Sequence, residues 1–288
     1  MRKVFFSFAF LCTKFIVAQS LIHHTTNYFG PNANPVPDFT DARIPESTQL
    51  SIYGDYYFGH GDKTISNLTK IEIPIISEKV SVKIWKVLLE KYSVTDEVKN
   101  RRGMQKNKGI ATGDVYIQTR IKLLSEKEKL PCIIFNSTLK TASGSDFKNR
   151  RFFNTAGYYF DLEMGKSFMF ENSFIKELRV VSDLGFYSWD IQTPNLNVQD
   201  DAVMYGFKAV LKHKSIIWEN TFSGYTGWIK RAVDYGDKPI VFASKIGVET
   251  KNKTVWFLQY QQGIRYFPFE QFRIGVQLPL KKLTPHFM

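Results

Sequence analysis

The strongest constraint on this fold is an alternation of apolar and polar residues with a period of two, repeated along most of the chain. It is plain in DVYIQTRIKLL, residues 114–124. Val115, Ile117, Thr119, Ile121 and Leu123 can share one face, and Asp114, Tyr116, Gln118, Arg120 and Lys122 fall on the other. Successive side chains of a strand point to opposite sides of its sheet. The segment therefore reads as a strand greasy on one side and wet on the other. In 156–168, Tyr158, Phe160, Leu162 and Met164 oppose Tyr159, Asp161, Glu163 and Gly165. In 202–213, Val203, Tyr205, Phe207 and Leu211 alternate with Lys208 and Lys212. In 270–282, Phe272, Ile274, Val276 and Leu278 alternate with Arg273 and Gln277. Twelve strand segments are expected, at 48–60, 64–76, 79–92, 113–124, 130–141, 156–168, 175–191, 202–213, 216–228, 240–250, 254–264 and 270–282. The third slips phase near Trp85–Leu89, which predicts a bulge or a strand end.

Such strands suit a soluble sheet with one wet face, or a membrane barrel greasy outside and wet inside. The connections separate the two. Every second one is short: SEK, SEKEK, FENS, HKS and TKN. The others include SVTDEVKNRRGMQKNKGIAT, ASGSDFKNRRFFNTA, TPNLNVQDD and IKRAVDYGDKP. This alternation puts short turns at one end and long loops at the other, the asymmetry of outer-membrane barrels, whose short turns face the periplasm. A soluble sandwich has no need of it. No apolar run after residue 20 approaches the roughly 18 residues of a spanning helix, so a mature membrane form must be a closed barrel. Aromatics make up 15% of the chain, with 25 Phe and 14 Tyr, enough to furnish interfacial girdles. The expected fold is all-β, an antiparallel up-and-down transmembrane β-barrel of about 12 strands, located in the bacterial outer membrane.

The beginning of the chain agrees. MRKVFFSFAFLCTKFIVAQS has a basic start, an apolar run and a small residue at Ala18, so residues 1–18 read as a signal peptide. Residues 19–47 contain GPNANPVPDF and RIPES, too rich in Pro and Asn for a long strand. They are expected to form an irregular periplasmic lead-in that lies in or across the periplasmic mouth. Residues 48–288 are the barrel. Cys132 alone remains in the mature chain, so an intramolecular disulfide is excluded.

Four stretches, NYFGPNANPVPD, GDVYIQTRIKLL, LKTASGSD and GYYFDLEMGKSF, carry a resemblance to Gram-negative outer-membrane β-barrel proteins. More narrowly, the chain is similar to a porin-like, Bacteroidota-type group related to the transporter-like barrels of phenol-degradation pathways. The resemblance implies a barrel at the cell surface that passes small solutes, and assigns no residue roles. Many barrels end on an aromatic residue read by the assembly machinery; here Phe287 is followed by Met288.

With apolar residues outward, the inward charged set supplies the candidate pore-lining residues: Lys70, Glu72, Asp114, Arg120, Lys122, Asp161, Glu163, Arg179, Asp183, Lys208, Lys245 and Arg273. Asp55 and Arg265 share their phase. The signs are mixed, which suits either a narrow polar pore or a lumen filled by paired charges. Twelve strands lie between barrels filled by side chains and those with an aqueous channel. The excess of positive charge sits in loops such as KNRRGMQKNK and DFKNRR, which suit solvated surface or lipid phosphate; nucleic acid is not an expected partner of a secreted barrel. Catalytic signals are weak. His23 and His24 lie in the lead-in, His60 and His213 in turns and His286 in the tail, with no metal spacing. SGYTGW and SGSD lack the nucleophile-elbow pattern. No enzyme activity, catalytic residue, metal or cofactor is expected. The expected function is a passive channel or porin-like transporter for small solutes, with outer-membrane lipid and the barrel-assembly machinery as partners. A closed structural or surface-interaction barrel and an outer-membrane lipid hydrolase are the rival readings.

Overall fold

The computed structural model describes residues 28–76, 78–171, 173–189, 201–228 and 238–285. The expected signal peptide, the start of the lead-in, His23, His24, His286 and most of the loops around 190–200 and 229–237 lie outside them.

The described residues form one closed antiparallel barrel. Its strands are β1 (Gln49–Gly59), β2 (Asp62–Ile76), β3 (Val80–Val94), β4 (Lys108–Ala111), β5 (Val115–Leu124), β6 (Cys132–Lys140), β7 (Gly157–Met169), β8 (Glu177–Ser188), β9 (Asp201–His213), β10 (Ile216–Gly227), β11 (Ile240–Glu249), β12 (Val255–Arg265) and β13 (Glu270–Pro279). Apart from β4, each strand pairs with its neighbours along the chain, and β1 closes the ring on β13. Strands β4 and β5 share one position in the ring. β4 pairs with the loop-end half of β3 and β5 with its turn-end half. The ring thus has the twelve positions expected. The short β4, inside what read as a loop, is the added piece. That loop also holds a short helix, α1 (Asp96–Arg102), capped by Thr95 and closed by Gly103 at φ 64°. The phase slip is a bulge: Leu88 is skipped between Val87↔Leu68 and Leu89↔Asn67, so Leu88 and Leu89 both point outward.

The distribution of residues is inverted relative to a water-soluble protein. Ile117, Phe160, Leu184, Phe207, Phe242 and Leu258 stand on the outside, each more than a third exposed. Arg120, Glu90, Arg151, Glu163 and Arg179 are buried inside. An apolar surface running round the barrel suits a hydrocarbon environment and would be a large patch in water. Aromatic residues flank this belt. Tyr56, Phe58, Phe272 and Tyr260 form an outward stack near the loop end, with ring centroids 5.1–5.8 Å apart. Trp218 and Trp256 point out near the turn end.

Candidate functional site: the lumen

The lead-in runs through the lumen. At the loop end the Gly30 amide donates to the Arg150 carbonyl at 2.8 Å, and Phe29 stacks on Phe153 at 4.2 Å. Lower down, Tyr187 donates to Asn34. Thr40 reaches Glu163, and Arg43 meets Glu177 at 2.5 Å. At the turn end the Thr48 hydroxyl donates to the Leu283 carbonyl. Residues 28–48 are therefore a strap threading the barrel from loop end to turn end. The irregular segment expected in or across the turn-side mouth extends well beyond it, and only its last residues lie there. The Pro- and Asn-rich composition fits, because an extended strap inside a barrel has no sheet partner of its own.

Wall cations hold the strap through its main chain. Arg179 donates to the Asp41 carbonyl at 2.6 Å and the Ala42 carbonyl at 3.1 Å. Lys208 donates to the Phe39 carbonyl. Arg120 is the hub. It donates to the Arg43 carbonyl at 3.0 Å, to Asn136 at 3.2 Å and to Thr40, and pairs with Glu72 at 2.6 Å and Glu163 at 3.1 Å. Glu163 in turn accepts the Thr40 amide at 2.8 Å, the Thr40 hydroxyl at 2.6 Å and the Ala42 amide at 3.1 Å. Buried charges of this kind persist only when paired and fully hydrogen-bonded.

A second network fastens the loop end. Asp62 accepts from Arg102 of α1 at 2.5 Å and from Arg151 at 2.9 Å. Arg151 also pairs with Glu90 at 2.7 Å, and Asn32 of the strap donates to Glu90 at 2.7 Å. One buried cluster thus ties together α1, the loop before β7, two strands and the strap.

The strap packs mainly against the β2–β9 wall, leaving a cavity of about 600 Å³. Glu219, Lys245, Gln259, Gln261 and Arg273 of β10–β13 face it, and Trp85, Lys83 and Tyr116 close the far side. It reaches from exposed Glu46 and half-buried Gln49 at the turn end to Tyr57, Phe267 and Gln271 at the loop end, where Tyr57, Val241, Phe267 and Phe269 form a buried cluster. Aromatic faces and cations alternate along the wall. Lys70 and Arg273 lie over Tyr53, Lys83 over Trp85 and Lys245 over Phe257, and Trp85 stacks on Tyr116 at 4.9 Å.

All twelve residues singled out from the sequence are on the inner side. Seven border the cavity: Lys70, Glu72, Asp114, Arg120, Lys208, Lys245 and Arg273. Most are neutralised by a neighbour. Lys70 lies 3.3 Å from Asp38 of the strap, Lys245 2.7 Å from Glu219 and Arg273 2.5 Å from Asp55; Asp114 accepts the Gly144 amide. Glu163 and Arg179 bind the strap. Asp161 accepts from Asn136, Asp183 faces Glu163 on the next strand, and Lys122 meets Glu78 at 3.7 Å in a short turn. Arg265 stands exposed at the loop-end rim. Gln118, expected to face water, is buried and donates to Thr138 at 2.8 Å.

Lys83, Trp85, Tyr53, Glu219, Gln259 and Gln261 were missed. The phase of β3 places Lys83 with Trp85, but the slip at Leu88 hid it. The neutral and aromatic liners carry no charge to mark them. Arg151 sits in a loop without period, so nothing in the sequence marks it as buried.

No family model matches the sequence, and no curated protein matches it. Solved structures do. An outer membrane channel from Pseudomonas putida F1 is 11% identical over 84% of this chain and 99% of its own, with a TM-score of 0.56. The NanC porin is 9% identical over 80% of this chain and all of its own, with a TM-score of 0.53. The chain has the fold of outer-membrane channel barrels. That likeness is one of fold, at a level of identity too low to transfer residue roles.

Proposed function

We propose that the protein is a passive, porin-like channel of the bacterial outer membrane, narrowed by its own N-terminal strap. One observation carries this reading: a polar cavity of about 600 Å³ runs beside the strap inside a barrel whose outer surface is apolar. The channel and porin folds of its structural neighbours support it. The route for solute lies between the strap and the β10–β13 wall, lined by Lys70, Glu72, Asp114, Arg120, Lys208, Lys245 and Arg273 together with Gln259 and Gln261. Because most of these charges are paired, small polar solutes would pass with weak ionic selectivity. The loop end faces outward in this reading, a leader at residues 1–18 directs export, and the barrel-assembly machinery inserts the chain.

The hydrolase reading needs a serine beside a histidine. The two described histidines stand at opposite ends of the barrel, His60 in the β1–β2 connection and His213 at the turn end, stacked on Phe174 at 3.8 Å. Conductance of the mature chain in planar bilayers tests the proposal. Small, steady conductance is expected, rising when residues 28–45 are deleted. No conductance from either form would instead make the protein a closed structural barrel.

A further inference from the structure

The outer surface of β2, β3 and β4 at the loop end differs from the rest of the belt. Its outward positions carry Lys63, Lys91 and Lys108. Register brings them together: Lys63 and Lys108 both lie opposite Ser93, and Lys91 lies opposite Ile65 and Ile110. Adjacent strands are about 4.8 Å apart, so Lys63 and Lys108 are roughly 10 Å apart across β3, with Lys91 roughly 7 Å along it. All three are exposed. The strand acids nearby, Asp62, Glu72 and Glu90, turn inward and are spoken for by Arg102, Arg120 and Arg151. Among the described residues, no outward position of these three strands carries a carboxylate to offset the lysines. Like charges at neighbouring positions of a sheet repel, so the cluster asks for an anion from outside.

The same surface is greasy. Ile65, Leu88, Leu89 and Ile110 are each more than half exposed, and the bulge turns both leucines outward. They continue the apolar belt up to the lysines. A soluble anion would find no use for these side chains, and an acyl chain would find none for the lysines. We infer that Lys63, Lys91 and Lys108 form a docking surface for a phosphorylated membrane lipid, its phosphates on the three ammonium groups and its acyl chains along Ile65, Leu88, Leu89 and Ile110. Ammonium–phosphate hydrogen bonds are among the stronger ones because both partners are charged, and basic residues at a membrane surface attract anionic headgroups. This surface rests on the membrane reading above, but not on whether the lumen conducts.

The mature barrel is refolded into phosphatidylcholine vesicles alone, into the same vesicles carrying bis-phosphorylated lipid A, and into vesicles carrying fully dephosphorylated lipid A. Its unfolding temperature is read from the heat-modifiable gel shift. The bis-phosphorylated lipid should raise the midpoint and the dephosphorylated one should not. The rise should disappear in the Lys63→Gln/Lys91→Gln/Lys108→Gln variant and in the single Lys91→Glu. It should persist when the exposed turn-end lysines are changed, in Lys251→Gln/Lys281→Gln/Lys282→Gln. A rise kept by the first two variants, an equal rise with the dephosphorylated lipid, or the same rise from inorganic phosphate in plain phosphatidylcholine overturns the inference. A wild-type chain that inserts into none of the vesicles overturns the membrane reading itself, and this surface with it.

Discussion

The strap's seat can be weakened without touching the barrel wall by changing Thr40. Its hydroxyl donates to Glu163 at 2.6 Å and accepts from Arg120, while its amide separately reaches Glu163 at 2.8 Å. Thr40→Ala removes the hydroxyl's two bonds and keeps the amide's. A hydrogen bond to a charged group contributes about 1.5–3 kcal/mol. Thr40 borders the cavity, so water can replace part of what is lost, and one such bond is a fair measure of the net effect. At about 1.4 kcal/mol per tenfold, the ratio of unseated to seated strap should rise roughly 10- to 100-fold. Single-channel open probability in planar bilayers reads that ratio. The midpoint of heat-modifiable unfolding reads the wall, and it should hold. Thr40→Ser should restore the wild-type open probability. If Thr40→Ala leaves open probability unchanged while the midpoint falls, the network around Arg120 supports the wall and gates nothing.

Ile117 faces outward and is 40% exposed. Ile117→Arg should impair insertion into bilayers by about 2–4 kcal/mol if it lies near the midplane, whereas Gln261→Arg on the cavity wall should fold and shift ion selectivity. Efficient folding of the wild-type mature chain to a single species in plain buffer would contradict the membrane assignment. For topology, cysteines at exposed Gln105 and Lys148, in a Cys132→Ser background, should react with an impermeant thiol reagent on intact cells, and one at Lys127 should not; the reverse pattern inverts the barrel. Asn149 is a poor probe, being buried with its side-chain oxygen on the Gln105 and Lys106 amides. Glu126, in the turn before β6, is pushed up by burial, but the Arg179 guanidinium and the Ser167 amide bond it and hold its pKa below the ordinary value. A depressed carboxyl stabilises above its unfolded pKa, about 4.3, and that contribution is lost as pH falls through the folded value. Thermal unfolding from about pH 5 downward should therefore show a shallower acid decline in Glu126→Gln than in wild type.

What the sequence displayed, and what it hid, follows from how each part is held. A transmembrane strand sees two solvents, so its side chains must alternate, and the inward phase of Arg120, Asp161 and Lys245 could be read directly. Helix α1 lay inside what read as a long loop; only its ends, Thr95 before Asp96 and Glu97 and Gly103 after Arg102, mark it, because seven residues are too few for a period. The four residues of β4 were lost among charged neighbours. The strap is a different case. Arg179, Lys208 and Arg120 grip the carbonyls of Asp41, Ala42, Phe39 and Arg43, and every residue has a carbonyl, so these contacts leave no mark in the strap's sequence, while the side-chain bonds of Asn32, Asn34, Thr40 and Arg43 follow no period. The wall records it instead. A glycine inside a strand often marks the close approach of another chain. A Cβ at Gly165 would come within 2.5 Å of the Arg179 guanidinium that grips the strap and 2.8 Å of the Ala42 Cβ, and one at Gly206 would collide with the Phe39 ring. Those two glycines are the imprint of the strap on β7 and β9. Gly206→Ala adds one methyl group to the wall, leaves every bond of the Arg120 network untouched, and pushes Phe39 off its seat. It should raise open probability as Thr40→Ala does, and deleting residues 28–45 should abolish the difference between Gly206→Ala and wild type. A difference that survives the deletion would mean that Gly206 answers to the packing of the barrel itself.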